Sequence, residues 1–220
     1  MKDLTITQEY MICALNEKGK MSEMLGVEKI VCFVASGLLE MKLEGCIAME
    51  KKKVCVLSDL PEKLTHLKPL YDYINGYKSV KIEKIIEEYT YTFTDKRFFE
   101  LVDSVGKSLL EINLVQEKEA GIFGKRKNYI PTKDAVHYVI DMIRSELLEE
   151  GEITEDIVLL TILLAKGKII KKYFSEYEQK EIKSRLKEIL NSADGHMVQE
   201  MIDHIENMMN MMTVLMVLYS

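Results

Sequence analysis

Three times along this chain an apolar run with helical spacing ends on a glycine that stands two residues before an isoleucine: LLEMKLEGCI, LLEEGEI and LLAKGKI. Glycine reaches the left-handed conformation that ends a helix, and the apolar residue beyond it packs back onto the last turn. The intervals between Gly45, Gly151 and Gly167 are unequal, so the echo is a shared stopping device and not a solenoid repeat. A chain punctuated in this way is built mainly of helices.

The rest of the pattern agrees. Thr5 and Gln8 have capping-box spacing, followed by an apolar face of Met11, Ile12 and Leu15 that closes at Gly19. A stronger helix is predicted from Val27 to Glu44. Cys46–Met49 and Val54–Leu57 read as strands around a turn Glu50-Lys51-Lys52-Lys53. Pro61 fits the first turn of a helix carrying Leu64 and Leu67, which Pro69 must break or kink. Ser79 is placed to cap a helix with Ile82, Ile85, Ile86 and Tyr89 on one side. Asp95 opens a long helix running to Ile112. A second hairpin is expected from Ala120–Phe123 and Asn128–Ile130, with Gly124-Lys125-Arg126-Lys127 at its tip.

The last third is read as purely helical. Thr132 or Asp134 starts a helix, and Ile157–Leu164 is apolar on nearly every face, the mark of a helix surrounded by protein. Ile182, Leu186, Ile189 and Leu190 form one stripe. Met197, Met201, Ile205, Met208 and Met212 form another after the turn Asp194-Gly195, and their spacing describes a core seam more than an adaptable methionine groove. No linker divides residues 1–220, so the expected fold is mainly α: a single globular helical domain with two protruding β-hairpins.

Composition narrows the function. The opening MKDLTITQEY is too polar for an export signal, and the longest nearly apolar run, Met208–Tyr219, falls short of the ~20 residues a spanning helix needs. Four separate cysteines, Cys13, Cys32, Cys46 and Cys55, lie in apolar stretches without zinc-site spacing and are expected to be buried, reduced thiols of a cytoplasmic protein. The net charge of -6 disfavours a general nucleic-acid binder. No phosphate-cradling glycine loop, Gly-x-Ser-x-Gly or His-Glu-x-x-His is present, so no catalytic constellation, metal or cofactor is expected. His137 and Asp141 share a helix face as half of a metal site at most, and His196 and His204 read as structural or solvated.

Positive charge is nevertheless clumped: Lys51-Lys52-Lys53, Lys125-Arg126-Lys127, and Lys166, Lys168, Lys171 and Lys172. Several lysines on one face can hold an acidic protein at an anionic lipid surface. The same tips can equally be solvated projections.

At this point the order of motifs resembles the Golgi phosphoprotein 3 family. LTITQEYMICALNEKGK is similar to that family's opening helix and glycine turn. ASGLLEMKLEGCIAMEKKKVCVLSD resembles its helix-to-hairpin passage. SLLEINLVQEKEAGIFGKRKNYIPTKD resembles its helix, protruding hairpin and return through a proline, here Tyr129-Ile130-Pro131, and ILLAKGKII its later buried helix. The resemblance spans nearly the whole chain. It implies a non-enzymatic peripheral-membrane adaptor that forms homo-oligomers, binds phosphatidylinositol 4-phosphate headgroups and grips short protein tails. It also implies that Phe123, Lys125, Arg126, Lys127 and Tyr129 make hairpin contacts with another copy or with a membrane. The family's headgroup pocket uses a tryptophan and several arginines. This chain has no tryptophan and places Val34, Phe99 and Val102 at the arginine positions, leaving Lys96 and Arg97 for phosphate contact. An apolar side chain cannot replace arginine's planar fork, which counts against specific phosphoinositide recognition. The competing expectations are a winged-helix-like nucleic-acid binder, with the Val27 helix beside a basic-tipped hairpin, and an oligomeric protein-interaction module.

Overall fold

The computed structural model describes residues 4–21, 26–92, 94–120, 126–149, 152–191 and 196–218, with backbone alone at 196–197 and 217–218. The expected features at Phe123, Gly124, Lys125, Gly151, Asp194 and Gly195 lie outside the described residues, as do the His196 and Met197 side chains.

The first helix, α1 (Ile6–Ala14), begins as its sequence dictates. The Thr5 hydroxyl accepts from the Gln8 amide at 3.4 Å, and the Gln8 side chain accepts from the Thr5 amide at 3.1 Å. All nine of its residues are buried. The helix α2 (Val27–Leu43) comes next, buried continuously from Val31 to Met41. Its end is the expected one: Gly45 takes φ +69° and the Cys46 amide donates back to the Met41 carbonyl at 3.0 Å.

From there the chain forms β1 (Ile47–Glu50) and β2 (Lys53–Val56), paired so that Glu50 faces Lys53. The turn is therefore only Lys51-Lys52, not the four residues expected, and both lysines hold positive φ, 47° and 63°. Positive φ at both central positions is what a tight hairpin turn of right-handed twist requires. A strand the sequence did not announce, β3 (Val80–Lys81), adds to β2, and Ser79 does not cap the helix beyond it. Between β2 and β3, Glu62–Leu67 winds as a 3-10 segment, and Pro69 enters the first turn of α3 (Lys68–Asn75), starting a helix where a break was expected.

The helices α4 (Ile82–Thr90) and α5 (Lys96–Glu111) present apolar faces to this core. After α5 the left-handed role falls to Asn113, at φ 61°. The second hairpin pairs β4 (Val115–Ala120) with β5 (Arg126–Pro131), Val115 opposite Pro131 and Ala120 opposite Arg126. Arg126 and Lys127 therefore stand on a strand, not on the tip.

Thr132 caps α6 (Lys133–Leu147), accepting from the Ala135 amide at 3.1 Å. In α7 (Glu155–Lys166) every residue from Ile157 to Leu164 is buried. Its terminus corrects one expectation: Gly167 keeps a negative φ of -73°, and Lys168 takes the left-handed one, 59°. Gly167 is needed instead because a side chain there would strike the Tyr10 hydroxyl. The helix α8 (Glu176–Leu190) buries only Ile182, whereas α9 (His196–Leu218) buries Met201, Ile205, Met208 and Met212, confirming the seam.

The architecture is mainly α with two small antiparallel hairpin sheets. The helices α1, α2 and α7 lie innermost, and α2 packs against α1, α4, α7 and α9. A helix enclosed in this way cannot enter a DNA groove, so the recognition helix of the winged-helix reading is a core element.

Candidate functional site

Where α1 begins, it meets the C-terminal part of α2, the Glu62–Leu67 segment, α5 and the start of α7 around a cleft of about 870 Å³. Leu4, Ile6, Leu43, Leu64 and Ile112 give it an apolar wall, and Glu40, Glu44, Glu62, Glu111 and Asp156 make it acidic. The basic side chains there are Lys63, ion-paired to Glu44 at 2.7 Å, and His66. Capping chemistry holds the rim in place: the Thr5 hydroxyl sits 3.1 Å from His66 Nε2, and the Gln8 side chain donates to Ser108 Oγ at 2.9 Å. The Thr7 hydroxyl donates to the buried Glu40, whose Oε2 lies 3.9 Å from His66 Nε2.

Electrostatics here are strained by crowding. Burial, with the charges of Asp156, Glu40 and Glu146 adding to it, raises the Glu9 carboxyl to about 8. Asp156 is raised in the same sense, by burial first and then by Glu40 and Glu44. Two carboxyls that resist ionisation, Glu9 and Asp156, gain from a cation brought beside them. Sequence reasoning missed this site. Its one local signal is a glutamate inside an apolar helical run, Glu9 in ITQEYMICA and Glu40 in VASGLLEMKL.

The residues singled out from sequence gather elsewhere. Lys96, Phe99, Glu100 and Asp103 of α5 and Arg126 and Lys127 of β5 line a cleft of about 420 Å³. Two groups expected to act separately, Lys96 and the hairpin cations, thus share one site. Arg97 does not join them: its Nε donates to Glu88 at 3.1 Å and its guanidinium lies 4.4 Å from the Tyr73 ring centroid. Within the cleft Arg126 covers the Phe99 ring at 4.1 Å, Lys127 pairs with Glu117 at 2.9 Å, and Lys96 lies 3.7 Å from Glu100. Tyr129, expected at a contact surface, is fully buried and donates to Asp103 at 2.6 Å. Val34 and Val102 are core residues, so the positions where arginines were looked for are filled by packing.

Three of the four lysines of the third basic group are also engaged, and the fourth, Lys171, is exposed. Lys166 pairs with Glu206 at 3.0 Å, Lys168 pairs with Glu28, and Lys172 donates to the Leu15 carbonyl and the Tyr173 hydroxyl. Among the described residues no three His, Cys, Asp or Glu side chains could hold a metal ion, and no helix is long and apolar enough to cross a membrane. His137 is exposed and Asp141 pairs with Arg144 at 3.3 Å.

No curated protein matches the chain. The family model described as Golgi phosphoprotein 3 (GPP34) matches residues 6–209, from the first turn of α1 into α9. The chain belongs to the Golgi phosphoprotein 3 (GPP34) family.

Proposed function

We propose that this protein is a non-catalytic adaptor at the cytoplasmic face of a membrane, whose acidic cleft grips the short basic tail of a partner protein. The observation that carries this reading is the composition of the 870 Å³ cleft: an apolar wall and five lining carboxylates. A side chain such as leucine fits the wall, and a neighbouring arginine or lysine relieves the repulsion among Glu40, Asp156 and the buried Glu9. Membership in a family of Golgi-phosphoprotein-like adaptors supports the same kind of job.

Fluorescence anisotropy with short labelled peptides tests it. A peptide joining leucine to two arginines is expected to bind in a salt-sensitive way, and its glutamate counterpart is not. Glu40→Gln combined with Asp156→Asn should weaken binding at least tenfold, the loss of about 1.4 kcal/mol. Equal binding of both peptides, or of neither, overturns the reading.

A second reading rests on the convergence of Lys96, Arg126 and Lys127, which offers three cations to a phosphate headgroup such as that of phosphatidylinositol 4-phosphate. Glu100, Asp103 and Glu117 offset much of that charge. Vesicles with and without this lipid separate the readings: a strong preference lost in Lys96→Glu and Arg126→Glu supports the headgroup role.

A further inference from the structure

We infer that the outer face of the β1-β2-β3 sheet is a docking surface for an anionic lipid bilayer. Alternation along the strands sorts the side chains cleanly. Ile47, Met49, Val54 and Val80 are buried beneath the sheet, while Ala48, Lys53, Cys55, Leu57 and Lys81 stand on its other side or at its edge. Lys53 and Lys81 face each other directly in the register of β2 and β3. Like charges in that relation repel and do nothing for the sheet. Lys51 and Lys52 project from the turn beside them, and Lys78 lies just before β3.

Lys171 apart, these five lysines differ from the lysines of the other basic clusters. Ion pairs or hydrogen bonds occupy Lys127, Lys166, Lys168 and Lys172. Among the described residues Lys51, Lys52, Lys53, Lys78 and Lys81 make no ion pair, although Glu50 shares their face. A chain with net charge -6 therefore keeps a lysine-rich patch, offset in part by Glu50, which stands directly opposite Lys53.

An apolar strip beside the lysines selects the occupant. Leu57, just past the end of β2, is 63% exposed, and with Ala48 and Cys55 it lines a shallow cleft of about 360 Å³ to which Glu50, Lys51 and Lys53 also contribute. Lysines are point charges suited to a diffuse field of phosphates, and a leucine set among them gains only where hydrocarbon lies behind the phosphates. A bilayer interface offers both layers in that order. Nucleic acid or an acidic peptide would satisfy the lysines and leave Leu57 in water.

Co-sedimentation with vesicles of phosphatidylcholine, with and without phosphatidylglycerol, tests the assignment. Binding is expected only with the anionic lipid, declining as salt rises. At the contribution each lysine makes near an anionic surface, the triple variant Lys51→Gln, Lys53→Gln, Lys81→Gln should lower the partition coefficient by about a hundredfold. Leu57→Ser should weaken it without changing its salt dependence. Removing the repulsion between Lys53 and Lys81 leaves the fold intact, which circular dichroism checks. Binding of the leucine–arginine peptide in the acidic cleft should survive the lysine variant, so this surface and the tail cleft fail independently. Equal partition of native and triple-variant protein overturns the inference, as does a preference for duplex DNA or an acidic peptide over anionic vesicles.

Discussion

The Tyr129 hydroxyl donates to Asp103 Oδ1 at 2.6 Å, fastening the second hairpin to α5. Its ring lies flat against Gly106, one turn further along the same helix, where a methyl group would collide with the ring. Gly106→Ala should therefore lever the hairpin off α5 and cost about 1–3 kcal/mol as overpacking, whereas Tyr129→Phe loses one hydrogen bond, about 1 kcal/mol. Urea unfolding of the two variants gives the order.

Stability should fall as pH rises through the neutral range. Glu9 has its folded-state pKa raised from 4.5 to about 8, so between those values the folded chain holds a proton that the unfolded chain has released. Its contribution is fully present below pH 4.5, declines up to about pH 8, and is lost beyond it. Thermal unfolding from pH 5 to 9 should show this slope, and Glu9→Gln should flatten it and be the more stable protein at pH 9. Below pH 4.5 the opposite trend takes over. The hydrogen bond from Arg144 holds Glu178 down at about 2, and that stabilisation disappears as the carboxylate is protonated.

Three thiols should be silent in the native state. Cys13, Cys32 and Cys46 are buried, and burial pushes Cys32 up to about 12 and Cys13 further. Cys55, on the outer side of the first sheet, is only half-buried, against the expectation that all four would be enclosed. A disulfide reagent should modify one thiol per chain quickly and all four after denaturation.

The family resemblance, rather than any contact in the structure, implies self-association through the second hairpin, where Arg126 stands on β5. Arg126→Glu should shift the sedimentation coefficient toward that of a single chain at micromolar concentration, while leaving the circular dichroism spectrum unchanged.

Local devices were the legible part of the fold. Thr5 with Gln8, the stop at Gly45 and the enclosed run Ile157–Leu164 depend on residues a few positions apart, so the sequence spells them out. The β4 strand did not announce itself because VQEKEA carries charge on both faces; its ladder with β5 is held by backbone and by pairs such as Glu117 with Lys127. The tight turn at Lys51-Lys52 uses residues that rarely adopt positive φ, and β3 is two residues long. The acidic cleft needs five elements at once, and no periodicity links Glu40 to Asp156. Lys96 was singled out, but only tertiary structure sets it beside Arg126 and Lys127.

The enclosure of α1 bears on how this chain is made. Its nine buried residues rest on α2, α5, α6 and α7, and α7 leaves the ribosome roughly 140 residues after α1 has emerged. Until then an apolar segment waits without its final cover, which favours slow, late closure and dependence on chaperones during synthesis. Mutations that weaken α7 should consequently lower the yield of folded protein more than their effect on the finished molecule would suggest.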